Sequence, residues 1–191
     1  SADAPLIEYN VVGPGIATET TGNSIYNYAT DDAIIQYNEA FGNHGPASDK
    51  DRGAFDADYN SRNTVFRYNY SHDNNFAFAI MRRYGQGIHF HHNLSVNDRY
   101  GFIHYGFYDD HEISDVIVSN NTFYSTHPDM MMFMNFGPQR EPIDTTFVDN
   151  IFVFAGSGAT WGSEPTADRG NVFENNLVVG LDDPQYIDLT D

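Results

Sequence analysis

Cysteine is absent from the 191-residue chain. Disulfide staples and thiolate metal sites are therefore excluded, while the redox compartment stays open. Basic residues are scarce: 9 Lys plus Arg stand against 27 Asp plus Glu, a formal charge of −18. So acidic a chain is repelled by nucleic acid and by anionic membrane surfaces, and neither is expected as a partner. An acidic polysaccharide is disfavoured too, unless a cation bridges the two. Divalent cations, basic partners, neutral glycans and high salt are all compatible with this charge. No apolar run approaches the roughly 18 to 20 residues of a membrane-spanning helix. No signal peptide is visible, as expected of a mature or a cytosolic form. Lys, Leu and Glu are few, and no 3.6-residue periodicity lasts beyond about two turns, so little helix is expected.

What remains is strand-and-turn composition. Tyr (13), Phe (15), Gly (16) and Pro (8) are plentiful, with abundant Asn. With 40% hydrophobic residues the chain can bury a core, and its length suits one domain over residues 1–191.

An internal repeat organises that domain. An apolar residue, two variable residues and Asn recur as Ile7-Glu8-Tyr9-Asn10, Ile35-Gln36-Tyr37-Asn38 and Phe66-Arg67-Tyr68-Asn69. The pattern continues as Phe90-His91-His92-Asn93, Val118-Ser119-Asn120-Asn121, Phe147-Val148-Asp149-Asn150 and Phe173-Glu174-Asn175-Asn176. Successive Asn lie 28, 31, 24, 28, 29 and 26 residues apart. The expectation is an all-β fold, a right-handed parallel β-helix (solenoid) of about seven coils. In it Asn tolerates the left-handed conformation of a sharp bend, stacked Asn side chains hydrogen-bond to one another and to the neighbouring backbone, and the apolar residue three places earlier points inward. A β-sandwich competes, but its regular hairpin signals are missing. Matches to the N-glycosylation pattern at Asn69 and Asn93 fall on the expected Asn ladder, where the side chain should be enclosed.

Segments such as AIIQYNEAFGNHG, GAFDADYNSRNTVFRYNYSHDNNFAFAIM and VIVSNNTFYS resemble the right-handed β-helix proteins related to pectate lyases. The resemblance covers nearly the whole chain and is specific for fold, not activity. Catalytic members of that group generally have several more coils. The chain also begins almost inside its first coil, so it reads as stacking on another chain through an open end, as irregularly capped, or as a fragment of a longer protein.

Chemistry is expected on the strands that precede each Asn motif. Alternation places Asp56 and Asp58, then Arg82 or Arg83, then His104, then Asn135 in one row. Such a row suits β-elimination on a uronate polymer, in which a cation neutralises the carboxylate and a base removes the adjacent proton. Pectate lyases hold calcium with an acidic cluster and use Arg or Lys as base. The resemblance therefore implies calcium on Asp49, Asp51, Asp56 and Asp58, and a base from Arg82 or Arg83. The complete pectate lyase signature is absent, and arginine loses a proton with difficulty.

His104, Tyr105, Gly106 and Phe107 open a stretch, HYGFYDDHEISD, that resembles the Tyr-Gly-Phe-Asp-Pro-His-Glu motif of alginate epimerases, with an extra residue and Asp110 where Pro is expected. It implies catalytic roles for His104 and Tyr105. His89 and His91 alternate onto one face, where two imidazoles could grip a transition metal. Trp161 and the tyrosines could stack on sugars. The functional expectation is a secreted or cell-surface carbohydrate-active protein, a calcium-assisted uronan lyase acting on a polysaccharide. The alternatives are a structural or adhesive β-helix stacking end to end, and a glycan-binding module.

Overall fold

The computed structural model describes residues 4–14, 22–46, 51–81, 85–106, 112–136, 143–162 and 169–181. The chain winds through repeated triplets of short strands. The first coil holds β1 (Leu6–Glu8), β2 (Val11–Val12) and β3 (Ile25–Asn27). The second holds β4 (Ile34–Gln36), β5 (Glu39–Phe41) and β6 (Gly53–Ala57), and the third β7 (Val65–Arg67), β8 (Tyr70–His72) and β9 (Phe76–Met81). There follow β10 (Gln86–His91), β11 (Leu94–Val96) and β12 (Gly101–Gly106), then β13 (Ser114–Ser119), β14 (Thr122–Ser125) and β15 (Met131–Phe136). The last coils hold β16 (Ile143–Val148), β17 (Ile151–Phe154) and β18 (Thr160–Gly162), then β19 (Val172–Glu174) and β20 (Leu177–Val179).

Strands of one kind stack on one another in parallel. Sheet A runs β1-β4-β7-β10-β13-β16-β19, sheet B β2-β5-β8-β11-β14-β17-β20, and sheet C β3-β6-β9-β12-β15-β18. This is the expected parallel β-helix, all-β among the described residues. The coil count is corrected in detail: among the described residues about five turns are stacked between two others.

The register follows the repeat. Ile7, Ile35, Phe66, Phe90, Val118, Phe147 and Phe173 align across sheet A as one inward column. Phe66 and Phe90 stack at 4.7 Å between ring centroids, and Phe147 and Phe173 at 4.6 Å. Phe55, Phe78, Ile103 and Phe133 close the same core from sheet C. Trp161, only 4% exposed, also packs in this core, so it is no sugar platform.

The asparagines form a continuous ladder. Each Nδ2 donates to Oδ1 of the next coil's Asn, from Asn10 through Asn38, Asn69, Asn93, Asn121 and Asn150 to Asn176, at 2.9 to 3.1 Å. Each Oδ1 also accepts the backbone N–H of the preceding Asn. From Asn38 onward, each Nδ2 donates a second bond to a carbonyl of the coil before, such as Ile7 and Ile35. A corner whose backbone leaves the sheet ladders is thereby fully hydrogen-bonded. The side chains of Asn69 and Asn93 are enclosed, which disfavours glycosylation there.

Of the two expected reasons for Asn at this corner, hydrogen bonding between stacked side chains and to the neighbouring backbone holds, and the left-handed conformation is corrected. The left-handed bend sits one residue earlier, at Tyr9, Tyr37, Tyr68, His92, Asn120, Asp149 and Asn175, all with φ between 54° and 59°. Asparagine is selected for its paired donor and acceptor. The bend residues themselves stack outside: Tyr9 on Tyr37 at 5.3 Å, Tyr37 on Tyr68 at 5.2 Å, and Tyr68 near His92 at 5.3 Å. Ring contact offsets part of the left-handed cost of roughly 1 kcal/mol per residue or more.

A shorter polar ladder holds the corner between sheets B and C. Asn43 N–H donates to Asn74 Oδ1 (3.0 Å), and Asn74 N–H to Asp98 Oδ1 (2.9 Å). Asp98 ends the row, taking the Ser71 and Ser95 hydroxyls at 2.6 Å each.

Asn93→Ala removes donors and acceptor at a buried corner and leaves backbone groups of two coils unsatisfied. A loss on the order of 3 kcal/mol is expected by urea denaturation. Leu94→Ala, one residue on but facing outward, should cost less than about 1 kcal/mol.

Candidate functional site on the outer face of sheet C

The outer face of sheet C carries the buried polar side chains of Asp56 and His104. Register aligns Tyr26 (β3), Asp56 (β6), Ala79 (β9), His104 (β12) and Met134 (β15) across five coils. The neighbouring inward column holds Asn27, Ala57, Ile80 and Tyr105. Phe76, Ala79 and Met134, with Tyr59, Tyr100 and Met131 against them, form an apolar cluster separate from the core. Gly53 and Gly101 make room for it. A Cβ at Gly53 would overlap the Phe76 ring, and one at Gly101 the Met134 side chain.

Asp56 is 3% exposed. Asn23 Nδ2 donates to its Oδ2 at 2.6 Å, and Asn23 Oδ1 accepts Gly53 N–H at 2.7 Å, so Asn23 ties the carboxyl to the start of β6. Oδ1 of Asp56 has no hydrogen-bond partner among the described residues. Burial, then repulsion from Asp58, pushes the Asp56 pKa well above the ordinary 3.8; the Asn23 bond opposes this, and Asp51 adds to it. Desolvation with like charge favours the neutral acid. Because Oδ2 accepts from Asn23, Oδ1 is the oxygen able to carry and donate a proton when the group is in its acid form.

Asp58 follows directly after β6, near enough for its charge to bear on Asp56. It is half-buried, and burial raises its pKa against the 2.7 Å bond from Tyr59 N–H. One coil away stand Tyr26 and Tyr28, 52% and 55% exposed. Tyr26 is in register with Asp56, Asp58 N–H donates to the Asn27 carbonyl, and the Tyr28 and Tyr59 rings meet edge-on at 6.3 Å. A pair of carboxyl groups thus adjoins exposed aromatic rings, a combination that suits a sugar.

The expected row is brought together only in part. His104 does align with Asp56, but Ala79 stands between them, about 10 Å across two strand spacings. His104 is fully buried, edge-on to Phe76 at 4.7 Å. Met134, not Asn135, occupies the next place in the row. Tyr105 faces the core, 6.3 Å from Phe133, and burial raises its pKa; adjacent in sequence to His104, it falls on the opposite side of the sheet. Asp51 is exposed and bears electrostatically on Asp56. Asp49, Arg82 and Arg83 lie outside the described residues, as does 107–111 of the epimerase-like stretch. Among the described residues no three His, Asp or Glu side chains are arranged to hold a metal ion.

Asn23, Tyr26 and Tyr28 are the members that sequence reasoning passed over. The signal was there: Tyr-Asn-Tyr at 26–28 and Asp-Ala-Asp at 56–58 are separated by one coil length.

No family model matches the chain, and no solved structure matches its fold significantly. A lacto-N-biosidase from Bifidobacterium longum subsp. longum is similar, 28% identical over 202 aligned positions. The alignment covers 93% of this chain but only 12% of that protein. Likeness to a carbohydrate-active protein and a β-helix fold together fit a carbohydrate-related function. Among the described residues no helix is long and apolar enough to cross a membrane.

An acid kept neutral in the fold lowers stability as pH rises. The native state holds the Asp56 proton after the unfolded chain has lost it, so stability is full below about 3.8 and falls as pH climbs toward the raised folded value. Asp56→Asn keeps an acceptor for Asn23 and removes the titration. Its melting temperature should exceed that of the wild type at neutral pH, with the gap closing in acid.

Proposed function

We propose that the protein acts on a glycan at the outer face of sheet C by glycosidic-bond hydrolysis. The observation that carries this reading is the carboxyl pair with divided environments: Asp56 buried and held as the acid, Asp58 half-exposed beside it. In such pairs one carboxylic acid protonates the leaving oxygen while the other group attacks the anomeric carbon or activates water. Asp56 Oδ1–H is the donor, its proton passing to the glycosidic oxygen as the bond to the anomeric carbon breaks. Asp58 takes the second role. Tyr26 and Tyr28 stack on the sugar, and Asn23 fixes the donor's orientation. Substrate reaches Oδ1 once the side chains shielding it are displaced. A charge of −18 favours a neutral oligosaccharide over a uronan. The relative's name supports glycosidase action, carried to this chain as part of the proposal because the match spans so little of that protein. A glycan substrate supports a location at the cell surface or in secretion.

A second reading keeps calcium and elimination. The repulsion that Asp58 and Asp51 exert on Asp56 is what a bound calcium ion would relieve. It needs Asp49 as a further ligand, and Arg82 or Arg83 as base.

One assay separates the two. The protein is incubated with lacto-N-biosyl oligosaccharides and with pectate and alginate, with and without calcium. New reducing ends are followed beside the ultraviolet absorbance of unsaturated products. The proposal expects reducing ends from the neutral glycans without calcium, lowered at least 100-fold in Asp56→Asn and in Asp58→Asn. Calcium-dependent unsaturated products lost in the Arg82 and Arg83 variants would replace it with the lyase. Binding without turnover would leave a glycan-binding module, and concentration-dependent particle growth without binding a stacking structural β-helix.

A further inference from the structure

A second site lies at the corner between sheets A and B in the fourth coil. His91 ends β10 and His92 occupies the left-handed bend, φ 55°. The turn brings their Nδ1 atoms to 2.8 Å, with the rings nearly perpendicular at 84°. The His89 ring lies 4.4 Å from that of His91, but its Nε2 is engaged with Ser119 Oγ at 2.9 Å. The sequence pattern pointed to His89 and His91; the bend substitutes His92.

We propose that His91 and His92 form a two-imidazole site for a divalent transition metal that prefers tetragonal coordination, Cu2+ or Ni2+. Metal–imidazole bonds are about 2.0–2.1 Å. Two of them at a right angle place the nitrogens about 2.8–3.0 Å apart, whereas tetrahedral coordination needs about 3.3–3.4 Å. The observed separation matches the former. Turning both rings off the N···N line aims their lone pairs at a common point, with water completing the coordination. The metal takes the place of the proton the two nitrogens share.

Arg67, aligned with His91 from the third coil, donates from Nε to Gln36 Oε1 at 2.8 Å; Ser119 faces His91 from the fifth. His72 offers no rival of this kind, because its two nitrogens meet Asp73 at 2.7 Å and Glu39 at 3.1 Å.

The test is a copper titration of the purified protein in excess calcium, which occupies exposed carboxylates. Calorimetry and electron paramagnetic resonance should show one Cu2+ per chain with two nitrogen ligands. His91→Gln and His92→Asn, the latter suited to the left-handed bend, should each weaken binding at least tenfold, and His72→Gln should not. Equal affinity in all the variants, an oxygen-only spectrum, or no binding would overturn the proposal.

Discussion

Everything in this molecule depends on the corner hydrogen bonds that keep successive coils in register. Parallel strands of three residues offer few ladder bonds, and a slip of one residue would turn the phenylalanine column outward. The asparagine ladder prevents that slip. Each side chain joins its neighbour in the next coil, and all but the first reach back to a carbonyl as well, so the corner is specified three ways. The same register carries Tyr26 to Asp56 and Asp56 to the row of His104, residues far apart in the chain. Site geometry is here a consequence of corner chemistry.

Electrostatics divides the surface. Among the described residues most acidic side chains are exposed or half-exposed, where water and ions screen them. Two aspartates among them are buried, and their environments differ in kind. Asp98 is surrounded by donors, from Ser71, Ser95 and both the main chain and side chain of Asn74, which oppose the burial that raises its pKa. Among the described residues Asp56 has one donor, Asn23, and two acidic neighbours. Asp98 therefore belongs to the architecture, a ladder rung whose two oxygens accept from its neighbours, whereas Oδ1 of Asp56 has no partner among the described residues.

The fold was legible because its signal is repeated. An apolar residue three places before each Asn states both the inward column and the corner. The bend was misassigned by one position because Tyr and His seldom take left-handed backbone, and stacking that makes this tolerable is visible only in three dimensions. The site was half legible. Asp56, Asp58 and His104 were singled out on their strands, but strand alternation cannot tell which coil position faces which, so Ala79 and Met134 were missed. Tyr105 was placed with His104 by motif likeness, although neighbours on a strand face opposite ways.

The protonation of Asp56 is the point on which the functional account turns. It can be read directly by following the carboxyl carbon of Asp56 by nuclear magnetic resonance as pH is raised, with Asp56→Asn to assign the signal. The account predicts that this resonance keeps its protonated shift after the exposed aspartates have titrated, and moves further when Asn23→Ala removes the bond to Oδ2. A carboxyl that titrates together with the exposed aspartates would contradict it.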